Sequence, residues 1–150
     1  MNIARLRVDL ELDEGIKHEI YLDHLDLPTF GIGHLIKESD PECGQPVGTP
    51  VTDERVQEAF ERDLDIVRLD CIKLYDDFAL FPEEVQLIIA NMMFNLGYPR
   101  LSKFKNMKKA VDTGDWEEAA NQMEDSLWYK QVPNRAERLC NRMRLMAVPF

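Results

Sequence analysis

Glu14, Asp23 and Thr29 are the residues of this chain whose types and spacing carry the most chemistry. Asp13-Glu14-Gly15 sets an acid where a helical pattern ends, beside a strand-like region. Asp23 follows nine residues later and Thr29 six after that. Two carboxyl groups flanking one groove are what glycoside hydrolysis needs: one protonated for the leaving oxygen, one ionised for water or the anomeric carbon. Surface charge alone produces the same spacing, because 28 of the 150 residues are acidic.

Other chemistries find less support. Gly31-Ile32-Gly33 starts like a nucleotide loop, but the third glycine would fall at Ile36. No Walker-type loop is present either, so the pair reads as glycines that let a strand turn tightly. His18-Glu19-Ile20-Tyr21-Leu22 opens like a zinc-protease helix and ends in Leu, so no metal site is expected. Cys43, Cys71 and Cys140 stand at unrelated spacings and read as free, buried apolar residues.

Composition narrows the class. With 45% hydrophobic and 31% charged residues, the chain has ordinary globular texture. A domain of this length buries about 68–70% of its unfolded surface without needing disulfides. Neither an apolar leader nor a run near the roughly 20 residues that span a bilayer is visible. A reducing, cytoplasmic setting is therefore expected, with no membrane insertion. The net charge of −10 argues against nucleic-acid binding. It is uneven: residues 1–100 hold 9 basic against 21 acidic side chains, residues 101–150 hold 9 against 7. Lys103, Lys105, Lys108 and Lys109 could meet a polyanion or simply form a solvated helix face.

The elements that must position these groups follow from periodicity. Ile3, Leu6 and Leu10 predict a helix over 3–12, stopped by Gly15. Residues 18–22 and 29–36 predict short strands joined through Asp26-Leu27-Pro28, and 38–50 predict a loop. Thr52 caps a long helix over 53–75 with an apolar stripe at Val56, Phe60, Leu64, Val67, Cys71 and Leu74. Pro82 opens a segment apolar on nearly every face, hence a buried helix. Helices near 103–112, 116–127 (capped by Asp115) and 134–146 complete the chain. The expected fold is α+β and mainly α. A β-containing lobe (12–52) and a helical lobe (76–150 plus 1–11) are linked by the 53–75 helix, a hinge expected to open and close a cleft.

The run Asp13-Glu14-Gly15, Ile20-Tyr21-x-Asp23, Thr29-x-Gly31-Ile32-Gly33-His34-Leu35 resembles the catalytic signature of the T-even phage lysozymes, the muramidases of glycoside hydrolase family twenty-four. Eight residues separate Glu14 from Asp23 and five separate Asp23 from Thr29, as in that family. The resemblance continues through Asn91-Met92-x-Phe94-x-x-Gly97, Trp116-x-Glu118-Ala119-Ala120 and Trp128-Tyr129-x-Gln131-x-Pro133-Asn134-Arg135-Ala136-x-Arg138, covering almost the whole chain. The region between His34 and Thr52 is shorter than in the T-even enzymes, the chain ends sooner, and its acidity differs from their basic character.

The resemblance implies a lysozyme-like fold and hydrolysis of the β-1,4 bond between N-acetylmuramic acid and N-acetylglucosamine in peptidoglycan. Glu14 would be the general acid, Asp23 would orient or deprotonate the water, and Thr29 would help hold it, in an inverting mechanism. Arg135 would orient the acid. Leu35 and Phe94 match positions that line the glycan groove, although each reads equally as core. Gly31 and Gly33 would let the backbone approach the sugar. The family's further polar groove positions fall near Met107 and Gln122 and are not carried over. Trp116, Trp128 and Tyr129 read as helical-lobe core. No cofactor and no metal are implied. A monomeric endolysin would wait in the host cytoplasm for a holin before reaching the wall. Alternatives are a tail-associated lysozyme, or a non-catalytic wall-binding or virion structural module. His34 and Asp63 are expected to form a structural ion pair, raising the His pKa and lowering that of the Asp.

Overall fold

The computed structural model describes residues 1–149. In chain order they form α1 (Ile3–Glu14), β1 (Lys17–Leu22), β2 (Pro28–Gly31), β3 (His34–Leu35) and α2 (Asp53–Leu74). A 3-10 turn (Phe78–Leu80) leads to α3 (Glu83–Leu96), α4 (Tyr98–Leu101), α5 (Lys105–Asp112), α6 (Trp116–Glu124), α7 (Leu127–Gln131) and α8 (Pro133–Leu145). One small antiparallel sheet and a majority of helix make this the mainly α, α+β fold expected of a lysozyme-like chain.

Two compact units divide it. Arg7–Ile66 holds the sheet, and Met1–Leu6 with Val67–Phe150 is helical; the divisions fall inside α1 and α2. Among the described residues no helix is long and apolar enough to cross a membrane.

The strand-bearing unit is built on alternation. Its strands run in the order β1-β2-β3, with Tyr21 opposite Thr29, Thr29 opposite Leu35, and Phe30 opposite His34. Directly opposed side chains share a sheet face. One face therefore carries Ile20, Phe30 and His34, all buried, and the other carries the row Tyr21–Thr29–Leu35. A register shift interrupts β1 between Lys17 and Tyr21. Gly31 and Gly33 take φ of +65° and +62°, left-handed values that glycine adopts without steric cost, and so turn the chain from β2 into β3. The outer edge of β1 is covered by the end of the loop: Ile20 N–H donates to Thr49 O and Val51 N–H to His18 O, each at 2.9 Å.

α2 starts where Thr52 Oγ1 accepts from Arg55 N–H at 3.2 Å, with Asp53 and Glu54 in the favourable first turn. Its six stripe residues are all buried. α3 is buried from Val85 through Met93, as its apolar texture predicts. The polar exceptions there are Asn91 and Gln86; the Gln86 Nε2 faces the carbonyls of Phe78, Ala79 and Phe81 at 3.0–3.2 Å and so ties α3 to the preceding turn.

Two expectations need correction. The helix expected over 116–127 is two helices, because Ser126 Oγ donates to Met123 O at the end of α6 and accepts from Tyr129 N–H at the start of α7. Asp115 does cap α6, accepting from Glu118 N–H at 3.1 Å. Cys43 is exposed in the loop; only Cys71 and Cys140 are buried, with thiols pushed up to about 12 and about 11 by burial.

Candidate functional site

Glu14 is the last residue of α1. The helix ends there because Gly15 takes φ +72° while its N–H still donates to Glu11 O at 2.9 Å. The carboxyl then lies along Gly33, so closely that a Cβ at that position would stand 2.6 Å from Glu14 Oε2 and 2.8 Å from Cδ. At Gly31 a Cβ would stand 3.0 Å from Val56 Cγ1. In the Cβ direction, the space beside Gly33 and Gly31 is taken by Glu14 and Val56.

Asp23 follows the last residue of β1 and organises the turn into β2. Its Oδ1 accepts from Leu25 N–H at 2.8 Å and Leu27 N–H at 3.0 Å, an Asx-type arrangement. Its own N–H donates to Leu27 O at 3.0 Å. Thr29, only 3% exposed, donates its hydroxyl to the same Leu27 carbonyl at 2.9 Å. Leu27 therefore couples Asp23 and Thr29 through its backbone. Leu35, 43% exposed, stands beside Thr29 on the outer sheet face.

Tyr21 completes this face on the other side of Thr29. Its phenol is held above the ordinary tyrosine value, first by burial and then by the charges of Glu14 and Asp23. Both carboxylates are thus close enough to act on one ring. Lys17 Nζ lies 4.2 Å from the centre of that ring. Neither role is legible from residue types. The signal for Tyr21 was available, since a strand residue two before Asp23 shares its face. Lys17 meets the ring across a stretch of β1 whose register is irregular, which leaves no trace in the sequence.

A second cluster of charges lies on the inner side of the same unit. His34 Nδ1 stands 2.7 Å from Asp63 Oδ2, and Nε2 stands 2.9 Å from Asp40 Oδ2. Arg55 donates to Asp40 at 3.1 Å, to both Glu42 oxygens at 2.9 and 3.0 Å, and to Glu58 at 3.1 Å. Burial opposes the charged His34, but the hydrogen bonds and charges of Asp63 and Asp40 outweigh it, so its pKa is raised. Asp40 is also pushed up by burial, and the Lys37 N–H, His34 and Arg55 together bring it below the ordinary range. Glu42 is lowered mainly by the Arg55 hydrogen bond. Asp40, Glu42 and Arg55 gave no signal in the sequence, because their meeting depends on how the 37–45 loop folds.

The remaining expected positions belong to the helical unit. Arg135, near the start of α8, is 8% exposed, and its Nε donates to Asn91 Oδ1 of α3 at 2.9 Å. Phe94 is half-buried on α3. Trp128 is buried with its Nε1 donating to Asn95 Oδ1 at 2.7 Å; Trp116 and Tyr129 are half-buried. Met107 and Gln122 line a cavity of about 260 Å³ together with Lys103, Lys105, Asn106 and Ser126. Among the described residues no group of three or more His, Cys, Asp or Glu side chains could hold a metal ion.

Comparison with known proteins bears on this geometry. The family model described as phage lysozyme matches residues 11–144. The pre-baseplate central spike protein Gp5 of Enterobacteria phage T4 is 35% identical over 87% of this chain, which spans 26% of that protein. A probable T4-type lysozyme of Dictyostelium discoideum is 30% identical over 91% of this chain and 92% of its own length. The peptidoglycan hydrolase gp36 of Pseudomonas phage phiKMV is 29% identical over 95% of this chain, which spans 15% of it. The chain belongs to the phage lysozyme family.

Proposed function

We propose that the protein is a muramidase that hydrolyses the β-1,4 bond between N-acetylmuramic acid and N-acetylglucosamine in peptidoglycan, with inversion. The observation that carries this reading is that Asp23 and Thr29 share the Leu27 backbone while Glu14 lies against Gly33 in the same small unit. Membership of the lysozyme family and similarity to a phage peptidoglycan hydrolase support the substrate.

The roles follow from the hydrogen bonds. Thr29 spends its hydroxyl proton on Leu27 O, so towards a water it acts as acceptor. Asp23 spends Oδ1 on two backbone N–H groups, which leaves Oδ2 to accept from water. A water donating one proton to Thr29 and one to Asp23 keeps a lone pair for the anomeric carbon. Glu14 protonates the departing glycosidic oxygen, and Asp23 takes the proton that water loses. Leu35 would line the glycan groove.

Clearing of purified peptidoglycan, with the reducing end analysed for anomeric configuration, tests the reading. Release of muramic reducing ends in the α configuration supports it; an inert folded wild type on several wall types overturns it in favour of a non-catalytic wall-binding or virion module.

The biological setting proposed is that of an endolysin: a monomer held in the host cytoplasm until a holin admits it to the wall. Expression in a bacterial cytoplasm with and without a holin tests this, with lysis expected only when both are present. Similarity to the spike protein favours a second setting, a tail-associated lysozyme. Detection of the chain in purified virions by mass spectrometry would select it.

A further inference from the structure

We propose that Lys17, steadied by the Tyr21 ring, receives a carboxylate of the bound saccharide and so makes the site selective for carboxylate-bearing glycan over neutral glycan. The inference rests on the muramidase reading and concerns how the same site chooses its substrate.

The starting point is an electrostatic conflict. Asp23, the ionised group that takes the water's proton, follows β1 at this sheet face, in a chain of net charge −10. A saccharide bearing lactyl or stem-peptide carboxylates would be repelled there unless a cation offsets the field. Most basic side chains in the strand-bearing unit are committed to acids of their own. Arg7 is paired with Glu61, Arg55 with Asp40, Glu42 and Glu58, and Arg62 with Glu58. Lys17 differs. Its ammonium sits 4.2 Å from the centre of an aromatic ring, and among the described residues no carboxylate pairs with it.

That placement is specific to the site. Tyr21 faces Thr29 across β1 and β2, and Thr29 faces Leu35, so the ring begins the row that has the proposed water holder at its centre. The register of β1 shifts between Lys17 and Tyr21, and the Lys17 ammonium lies over the ring. A cation held on an aromatic face keeps its charge while losing side-chain freedom, so less entropy remains to be lost when an anion arrives. Tyr21 is thereby a positioning residue, and Lys17 is the group that touches substrate.

One wall preparation in two forms provides the test: native, and with its carboxyl groups amidated by carbodiimide coupling. Sedimentation binding and hydrolysis are measured on both, for wild type, Lys17→Met, Tyr21→Phe and Tyr21→Leu. The wild type is expected to bind the native form about 1.5- to 5-fold better than the amidated one, the range of an exposed ion pair. That preference should vanish in Lys17→Met, persist in Tyr21→Phe and weaken in Tyr21→Leu, with the change in KM rather than kcat. Lys17 is exposed, so its variant tests the idea even if Tyr21→Leu fails to fold. A wild type indifferent to amidation, or a Lys17→Met variant that keeps the full preference, overturns the proposal. If binding shows the preference while neither form is hydrolysed, the selectivity stands and the muramidase reading falls.

Discussion

Two groups of charged side chains lie in the strand-bearing unit, and they are built in opposite ways. Around His34 the charges close on one another: imidazole between Asp40 and Asp63, guanidinium across Asp40, Glu42 and Glu58. Asp23 and Thr29 are supported instead by the backbone of the Leu25–Leu27 turn, and Glu14 lies against Gly33. A charge neutralised by its neighbours has nothing left for a ligand. Asp23, fixed through one oxygen by two amides, keeps the other for a ligand. The first arrangement can contribute stability; the second gives up some of it for chemistry.

The comparison breaks most sharply at Glu14. Glu14→Gln keeps shape but has no proton to give, and wall clearing should fall roughly 10²–10⁴-fold while the thermal midpoint stays level or rises. Asp23→Asn should lose activity on a similar scale with its turn intact, since the amide oxygen still accepts from Leu25 and Leu27. Near wild-type clearing by a folded Glu14→Gln would remove the acid assignment.

Gly33→Ala attacks the support rather than the acid. A methyl group there would overlap the Glu14 carboxyl, and the left-handed backbone costs a non-glycine residue about 1–2 kcal/mol. Displacing the acid by an ångström can cost about 10²-fold in rate, so activity should drop by more than the stability loss explains. Paired calorimetry and clearing assays check this; a loss of stability with unchanged activity would show that Gly33 serves the turn alone.

His34→Asn should do the reverse, costing about 1–3 kcal/mol of stability by removing the imidazole from Asp63 and from Asp40, which keeps Arg55, with little effect on clearing at low temperature. The pH dependence has a definite sign. His34 has a raised folded pKa, so its contribution is complete below about 6.5 and fades as pH rises through the raised value. Asp40 has a lowered one, so its contribution is present above about 3.9 and fades as pH falls through the lowered value. The difference between wild type and variant should be widest between those limits. Melting curves from pH 4 to 8 test it, and equal differences at pH 5.5 and 8 would refute the arrangement.

Arg55→Lys is the mildest change. It keeps the charge and loses the fork that engages both Glu42 oxygens, so a cost of about 1 kcal/mol or less is expected in the melting midpoint. A larger loss would mean that the guanidinium, and not His34, organises the loop.

Local rules carried much of this molecule. The stripe of α2, the apolar texture of α3, the Thr52 and Asp115 caps and the strand-like runs over 18–22 and 29–36 are short-range patterns; each formed near its expected bounds, the second run as two strands turned at Gly31 and Gly33. The types and intervals of Glu14, Asp23 and Thr29 were equally plain, because a motif is a statement about sequence distance. What stayed hidden depends on residues far apart in the chain or on irregular backbone. Ser126 separates two helices by bonding in both directions, and Gly33 makes room for an acid 19 positions earlier. Asp40 and Arg55 meet through a loop without periodicity, and Lys17 meets Tyr21 across an irregular register. Periodicity sets which face a side chain takes; only the folded chain decides which charges share that face, because their separation in space depends on every turn between them.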